Sequence, residues 1–186
     1  MSILPAATGT AQWEPAVDPQ EFETSISNLL DTPKLVKTMA LHTCIALQAV
    51  ATAVPEFSCP PERRGLIVCL GGDRIDYSEV VPHLPGTNEN ELCYNHASRR
   101  IPPLWLLQQL PNMTAAHIAR EWDIRGSTHS FNQSTLPLDQ GHLTARMLFH
   151  QKEINELLLV AVDAGDIPRA KVWHLTGPAE LQTLST

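Results

Sequence analysis

The sequence predicts an α/β fold, a mixed sheet packed with helices, and three features carry that expectation. Residues 65–70 (GLIVCL) and 156–162 (ELLLVAV) read as strands that are apolar on both faces, the pattern of strands buried on both sides of a sheet. A long apolar helical segment, residues 34–54, precedes the first of them. A second helical segment, residues 138–151, precedes the other. Helix, turn and two-faced strand in succession form an α/β pattern, because such a strand needs helices over its faces.

The elements follow in order. Residues 1–33 are rich in Ala, Thr and Pro, with Trp13 and Phe22 as apolar points. They are expected to form a lead-in segment, extended with a short helix over 19–30, ahead of a domain spanning 34–186. Asp31-Thr32-Pro33 is a helix-start signal, with Asp or Thr at the cap and Pro at the first helical position. In 34–54, Leu35, Met39, Ile45, Val50 and Val54 recur near helical spacing among dense alanines. A helix this apolar is buried on more than one face, and Pro55 ends it. Residues 60–64 form a turn, and Gly71-Gly72 stops the strand 65–70.

Residues 73–100 are loop-rich, with Pro82, Pro85, Gly86, Asn88 and Asn90 and room for a short helix over 89–98. Pro102-Pro103 opens a brief helix over 104–110. Asn112 caps the next, 113–122, where its carboxamide oxygen can accept an orphan helical N–H; Gly126 closes it. Residues 128–133 alternate and contain the β-former Phe131, so they read as a strand. A turn over 134–137 leads into the helix 138–151, with Leu143, Met147 and Leu148 as its apolar stripe. The strand 156–162 follows, then one more strand around 171–175. No internal repeat is present.

Composition narrows the function classes. The 186 residues are 43% hydrophobic and only 18% charged. So low a charge favours a chain with a partner surface. The net charge of −7, without a basic patch, argues against nucleic acid. No secretory n-region and no membrane-spanning apolar run occurs, so a cytoplasmic location without membrane insertion is expected. Cys44, Cys59, Cys69 and Cys93 form no C-x-x-C pair and read as reduced, buried thiols. Fifteen prolines against nine glycines imply stiff connections.

No motif of metal or phosphate chemistry emerges. His129, His142 and His150 lie on different elements, without H-E-x-x-H, so neither metal nor cofactor is expected. His117, beside apolar residues on a helix, reads as a core histidine. Cys69 on an apolar strand lacks the electropositive setting of a nucleophile. Gly71-Gly72-Asp73 is a turn rather than a phosphate loop. Thr135, with His129 or His142 as base, reads more simply as a turn residue capping the next helix. Arg63, Arg64, Arg99 and Arg100 could meet an acidic carrier protein, but paired arginines more often read as solvated surface.

The succession of motifs over residues 34–163 resembles the ketosynthase branch of the thiolase superfamily. The helix 34–54 is similar to that family's first buried helix, and Leu66-Ile67-Val68-Cys69-Leu70-Gly71-Gly72 to its strand and glycine turn. Pro111-Asn112-Met113 through His117-Ile118-Ala119 resembles its Asn-Met helix. Trp122-Asp123-Ile124-Arg125-Gly126 followed by His129-Ser130-Phe131 resembles the entry into its nucleophile strand. The resemblance implies half of a thiolase-like fold. Counting from Gly126, the family's cysteine falls on Thr135, within Gln133-Ser134-Thr135-Leu136-Pro137. A threonine cannot supply the thiolate that transacylation needs without a dedicated base. The family draws its histidines from a second half, expected to be absent because the chain ends soon after 156–162. No catalytic residue is therefore expected.

The closest resemblance is to short β-ketoacyl synthase-like N-terminal domain proteins, chain length factors of aryl polyene and type II polyketide systems. It implies a non-catalytic subunit of a polyketide or fatty-acid-type system, paired as a heterodimer or larger complex with an active β-ketoacyl synthase. An acyl carrier protein would be met indirectly. It further implies a partner interface along Ser127, Thr128, His129, Ser130, Phe131, Asn132 and Gln133, and an acyl tunnel wall at Asn112, Met113, Thr114 and His117. Two other function classes stay open: a stand-alone acyltransferase or acyl-thioester hydrolase, and a homodimeric carrier-protein-binding module without chemistry.

Overall fold

The computed structural model describes residues 7–12, 19–53, 57–72, 110, 112–133, 135–165 and 167–181. The expected helix over 89–98, all of that over 104–110 but Leu110, and Cys93, Arg99 and Arg100 lie outside the described residues. Five strands form one mixed sheet: β1 (Ala7–Gln12), β2 (Arg64–Gly71), β3 (Thr128–Gln133), β4 (Glu156–Asp163) and β5 (Arg169–Leu175), in the order β1-β5-β4-β2-β3. The β2–β3 and β2–β4 pairs are parallel; β4–β5 and β1–β5 are antiparallel. Among the described residues, four α-helices accompany it: α1 (Pro19–Ser27), α2 (Leu41–Ala53), α3 (Asn112–Glu121) and α4 (Leu138–His150). The expected α/β class, a mixed sheet packed with helices, is the architecture observed.

Alternation explains why β2 and β4 are apolar throughout, since successive side chains in a strand point to opposite faces. Leu66, Val68 and Leu70 join Leu158, Val160 and Val162 in the core under α2 and α3. Ile67 and Cys69 join Leu157, Leu159 and Ala161 in a second core under α4. Each buried Leu, Ile or Val contributes about 1.5–3 kcal/mol relative to exposure. Charge on either face would therefore be costly, and neither strand carries any between its first residue and Gly71 or Asp163.

The segment before residue 34 contributes to this architecture. β1 pairs along its length with β5, and Ile26 and Leu30 enter the same core as α2. The expected continuous helix over 34–54 is two pieces. Pro33–Thr38 is a 3-10 helix, and α2 begins only at Leu41. Met39 is extended between them, which lets Val36 and Met39 both bury. The Thr38 hydroxyl donates to the Leu35 carbonyl (2.7 Å), a local bond that competes with helix continuation.

Both later helices close on residues in the left-handed region, Asp123 (φ 48°) and Lys152 (φ 55°). The Ile124 N–H donates to the Ala119 carbonyl (2.8 Å), and Glu153 N–H to Leu148 (3.1 Å); these are Schellman closures. Gly126, expected to end α3, serves another purpose. A Cβ there would sit 2.4 Å from the Arg64 carbonyl oxygen, so only glycine lets the chain enter β3 against the start of β2.

The apolar stripe expected on α4 is also corrected. Leu148 is buried, but Leu143 and Met147 are 61% and 51% exposed. The packing face is Gly141, Ala145, Leu148 and Phe149. Small residues carry it because the helix lies close to the sheet: a Cβ on Gly141 would come within 2.5 Å of the Cys69 sulfur.

This contact gives a test. Gly141→Ala should lower stability by about 1–3 kcal/mol through overpacking, although alanine is the better helix former by about 1 kcal/mol. Adding Cys69→Ala should recover most of the loss in denaturant unfolding. Additive losses would remove this account of the helix–sheet approach.

Candidate functional site

Strand β3 lies at the end of the strand order, paired on one side with β2. The Leu66 N–H donates to the Ser127 carbonyl (3.0 Å) and Leu66 stands opposite Thr128. In a parallel ladder this phase commits the odd-numbered residues of β3 to β2. The backbone N–H groups of Thr128 and Ser130 therefore point toward the sheet's outer side. Thr128, Ser130, Asn132 and Gln133 are exposed, and His129 and Phe131 are half-buried. The His129 and Phe131 rings stack, with centroids 6.4 Å apart and planes 7° from parallel, and Phe131 packs on the core beneath α4. The Ser127 hydroxyl donates to Glu153 (2.8 Å), holding the strand's entry to the far end of α4.

The turn that carries Thr135 packs closely on the end of β2. A Cβ on Gly71 would meet the Leu136 Cα at 2.6 Å. Thr135 is exposed. It does not cap α4: Pro137 occupies the N-cap, with no side-chain cap bond. Among the described residues, no hydrogen bond to the Thr135 hydroxyl joins it to His129 or His142. The Nε2 of His142 is buried without a partner, and burial lowers that ring's pKa before Asp139 partly offsets it. Cys69 is fully buried and its thiol is pushed up to about 12, chiefly by burial. Cys44 is likewise held at about 12. Neither is a thiolate near neutral pH.

On α3, Asn112 is exposed and Met113 half-buried. Thr114 is fully buried and shares a 2.7 Å hydroxyl–hydroxyl bond with Thr43 of α2. It fixes one helix to the other. His117 is buried with Nε2 unpartnered; burial and then Arg120 lower its pKa, so the ring is neutral. Among the described residues, no group of His, Cys, Asp or Glu has a metal-holding arrangement. No described helix is long and apolar enough to cross a membrane.

Of the arginines expected to be solvated, Arg63 and Arg64 are engaged. Arg63 donates to the Asn155 side chain (2.9 Å). Arg64 donates to the carbonyls of Cys59, Trp122 and Asp123 and lies over the Phe57 ring. It thus caps the C-terminal end of α3 with positive charge.

One polar cluster has no signature in the sequence. Glu156, buried at the start of β4, accepts the Ser58 N–H (2.8 Å) and hydroxyl (2.6 Å) on one oxygen and His174 Nε2 (2.8 Å) on the other. An ionised carboxylate only accepts, so Ser58 and His174 are the donors. Burial pushes the Glu156 pKa up, but the bonds from Ser58, His174 and Cys59 outweigh it and hold the carboxyl below its ordinary value. The carboxylate stands between serine and histidine, so the histidine cannot take the serine proton as a triad base would. The cluster ties residues 57–59 to β4 and β5.

No family model matches this sequence, and no curated protein matches it. Solved structures do. One is the ishigamide ketosynthase/chain length factor, with TM-score 0.52 and 14% identity, covering 91% of this chain and 62% of that one. Another is AntDE:AntF, a type II PKS acyl-carrier protein in complex with its ketosynthase bound to the hexaketide, with TM-score 0.51 and 13% identity, covering 96% and 53%. The chain spans between half and two thirds of the length of these neighbours. It has a ketosynthase-like fold, consistent with half of a thiolase-like fold.

The Glu156 cluster predicts a pH dependence. A carboxyl with a depressed folded pKa contributes stability above its unfolded pKa of about 4.5, lost as pH falls through the folded value. Tm should therefore fall on acidification below about pH 4.5. Glu156→Gln should cost about 1.5–3 kcal/mol at pH 7 and flatten that acid slope. An unchanged slope by calorimetry would contradict the assignment.

Proposed function

We propose that the chain is a non-catalytic, chain length factor-like subunit that pairs with an active β-ketoacyl synthase and shapes its acyl tunnel. The pathway class would be polyketide, aryl polyene or fatty-acid-type synthesis in the cytoplasm, with an acyl carrier protein serving the partner. The observation that carries this reading is the edge position of β3 on a ketosynthase-like fold. The outward N–H groups of Thr128 and Ser130 suit antiparallel addition of a partner strand, which forms one sheet across two chains. The exposed Thr135 supports a silent role, since an unassisted threonine hydroxyl is a poor acyl acceptor.

Within this reading Asn112, Met113 and His117 face the tunnel, while Thr114 acts from inside by holding α3 to α2. His117 is neutral and unpartnered, so it could border an acyl chain without placing charge there.

Co-expression with a ketosynthase encoded beside this chain should give a one-to-one complex. Ser130→Pro removes an outward donor while leaving the β2 ladder intact. It should weaken the complex about tenfold, equivalent to about 1.4 kcal/mol, and leave this chain's own Tm nearly unchanged. A chain that never captures the synthase, or one acylated on its own by an acyl-thioester probe, would replace this reading with stand-alone acyl transfer or hydrolysis.

Tunnel shaping is checked separately. Met113→Trp in the complex should shift products to shorter chains and Met113→Ala to longer ones by mass spectrometry. Identical product profiles would remove Met113 from the tunnel wall.

A further inference from the structure

A carboxylate ties helix α3 to the segment before α2. Glu121, in the last turn of α3, has a side chain only 3% exposed. One of its oxygens accepts the backbone N–H of Asp31 (2.8 Å), 90 residues away, and the other accepts from the Arg120 guanidinium. Asp31 precedes the 3-10 helix Pro33–Thr38, and Leu30 and Val36 on either side of it are buried in the core with α2. One turn back on α3, His117 is 6% exposed and its Nε2 has no partner. Residues four apart on a helix are neighbours, so His117 and Glu121 share one face.

We propose that His117 and Glu121 form a proton-operated latch between α3 and the segment that holds α1 and the 3-10 helix. A proton added to the ring places a charged donor where Nε2 has no acceptor. Burial, and then the Arg120 charge, oppose that proton, while Glu121 favours it. Elsewhere on the elements packed against α3, the titratable groups are His42 and Cys44 of α2, Arg64 and Cys69 of β2, and His129 of β3. Cys44 and Cys69 are uncharged thiols. Arg64 is bound to the carbonyls that close α3, and His129 stacks on Phe131. A cationic His117 must therefore draw on Glu121, whose oxygens already hold Asp31 and Arg120. Protonation sets His117 against Asp31 for one carboxylate, and the tie to the preceding segment gives way. A ring kept neutral by the fold favours the closed latch above its ordinary pKa of 6.5, and that stability is lost as pH falls from there toward the lowered folded value.

Hydrogen exchange on the full chain, corrected for the intrinsic rate, reads the latch at the Asp31 amide. Opening there should rise by up to about tenfold per pH unit below 6.5, as uptake of one proton requires. His117→Phe, which cannot titrate, should make opening independent of pH between about 7.5 and 5.5. His117→Gln should do the same, and it serves where phenylalanine does not fit. Glu121→Gln keeps an acceptor for Asp31 but removes the charge that favours the cation, so the rise should continue to lower pH. The Glu156 response begins only below about pH 4.5 and stays separate. Opening at Asp31 that is flat with pH in the unmodified chain overturns the proposal. So does a rise that survives both His117 substitutions, or one that Glu121→Gln leaves unchanged.

Discussion

The parallel pairing of β2 with β4 is the interaction on which the rest of the structure depends. Eight registered residue pairs, from Arg64–Glu156 to Gly71–Asp163, divide the apolar side chains between two cores. The polar residues at the start of each strand then organise one end of the sheet. Arg64 gathers the carbonyls that close α3 and the loop before β2, and Glu156 gathers Ser58 and His174. Neither group is free to act elsewhere. The opposite end is built by backbone approach. Gly71 receives the Leu136 turn against its Cα, and the Ala164 N–H donates to its carbonyl (2.8 Å).

What the sequence reveals is what local patterning encodes. The two-faced strands 65–70 and 156–162, the strand at 128–133 and the helix beginning at 138 are legible because each is written in consecutive residues. The closures of α3 and α4 are not, because Asp123 and Lys152 take a left-handed conformation that glycine usually signals. The inner face of α4 is hidden for a related reason. Close approach favours Gly141 and Ala145, and a search for large apolar residues selects Leu143 and Met147 instead. β1 is invisible because its pairing partner lies at the far end of the chain. The Ser58–Glu156 contact joins residues 98 apart, and nothing near either one announces it.

The surroundings of Thr135 are likewise only partly legible. Counting along a resemblance locates the turn, but not its packing on Gly71 or the placement of Pro137 at the helix cap. The Thr43–Thr114 bond shows the same limit. Sequence assigns Thr114 to a helix, and only the fold turns it inward. A ketosynthase-like scaffold thus surrounds a turn whose Thr135 is exposed and does not cap α4. Among the described residues, the sheet edge beside it is paired only with β2.

The parallel β2–β4 pair also has a consequence for synthesis. β2 ends at residue 71 and β4 begins at 156, 85 residues later. At about 5–20 residues per second, a ribosome leaves one backbone edge of β2 without β4 for roughly 4–17 s. The segment from α4 through β5 is by contrast contiguous and can form as soon as it emerges, in keeping with the faster folding of local contacts. The nascent chain therefore carries an apolar central strand with one edge unpaired until β4 emerges, so closure of the sheet waits on residues 156–163.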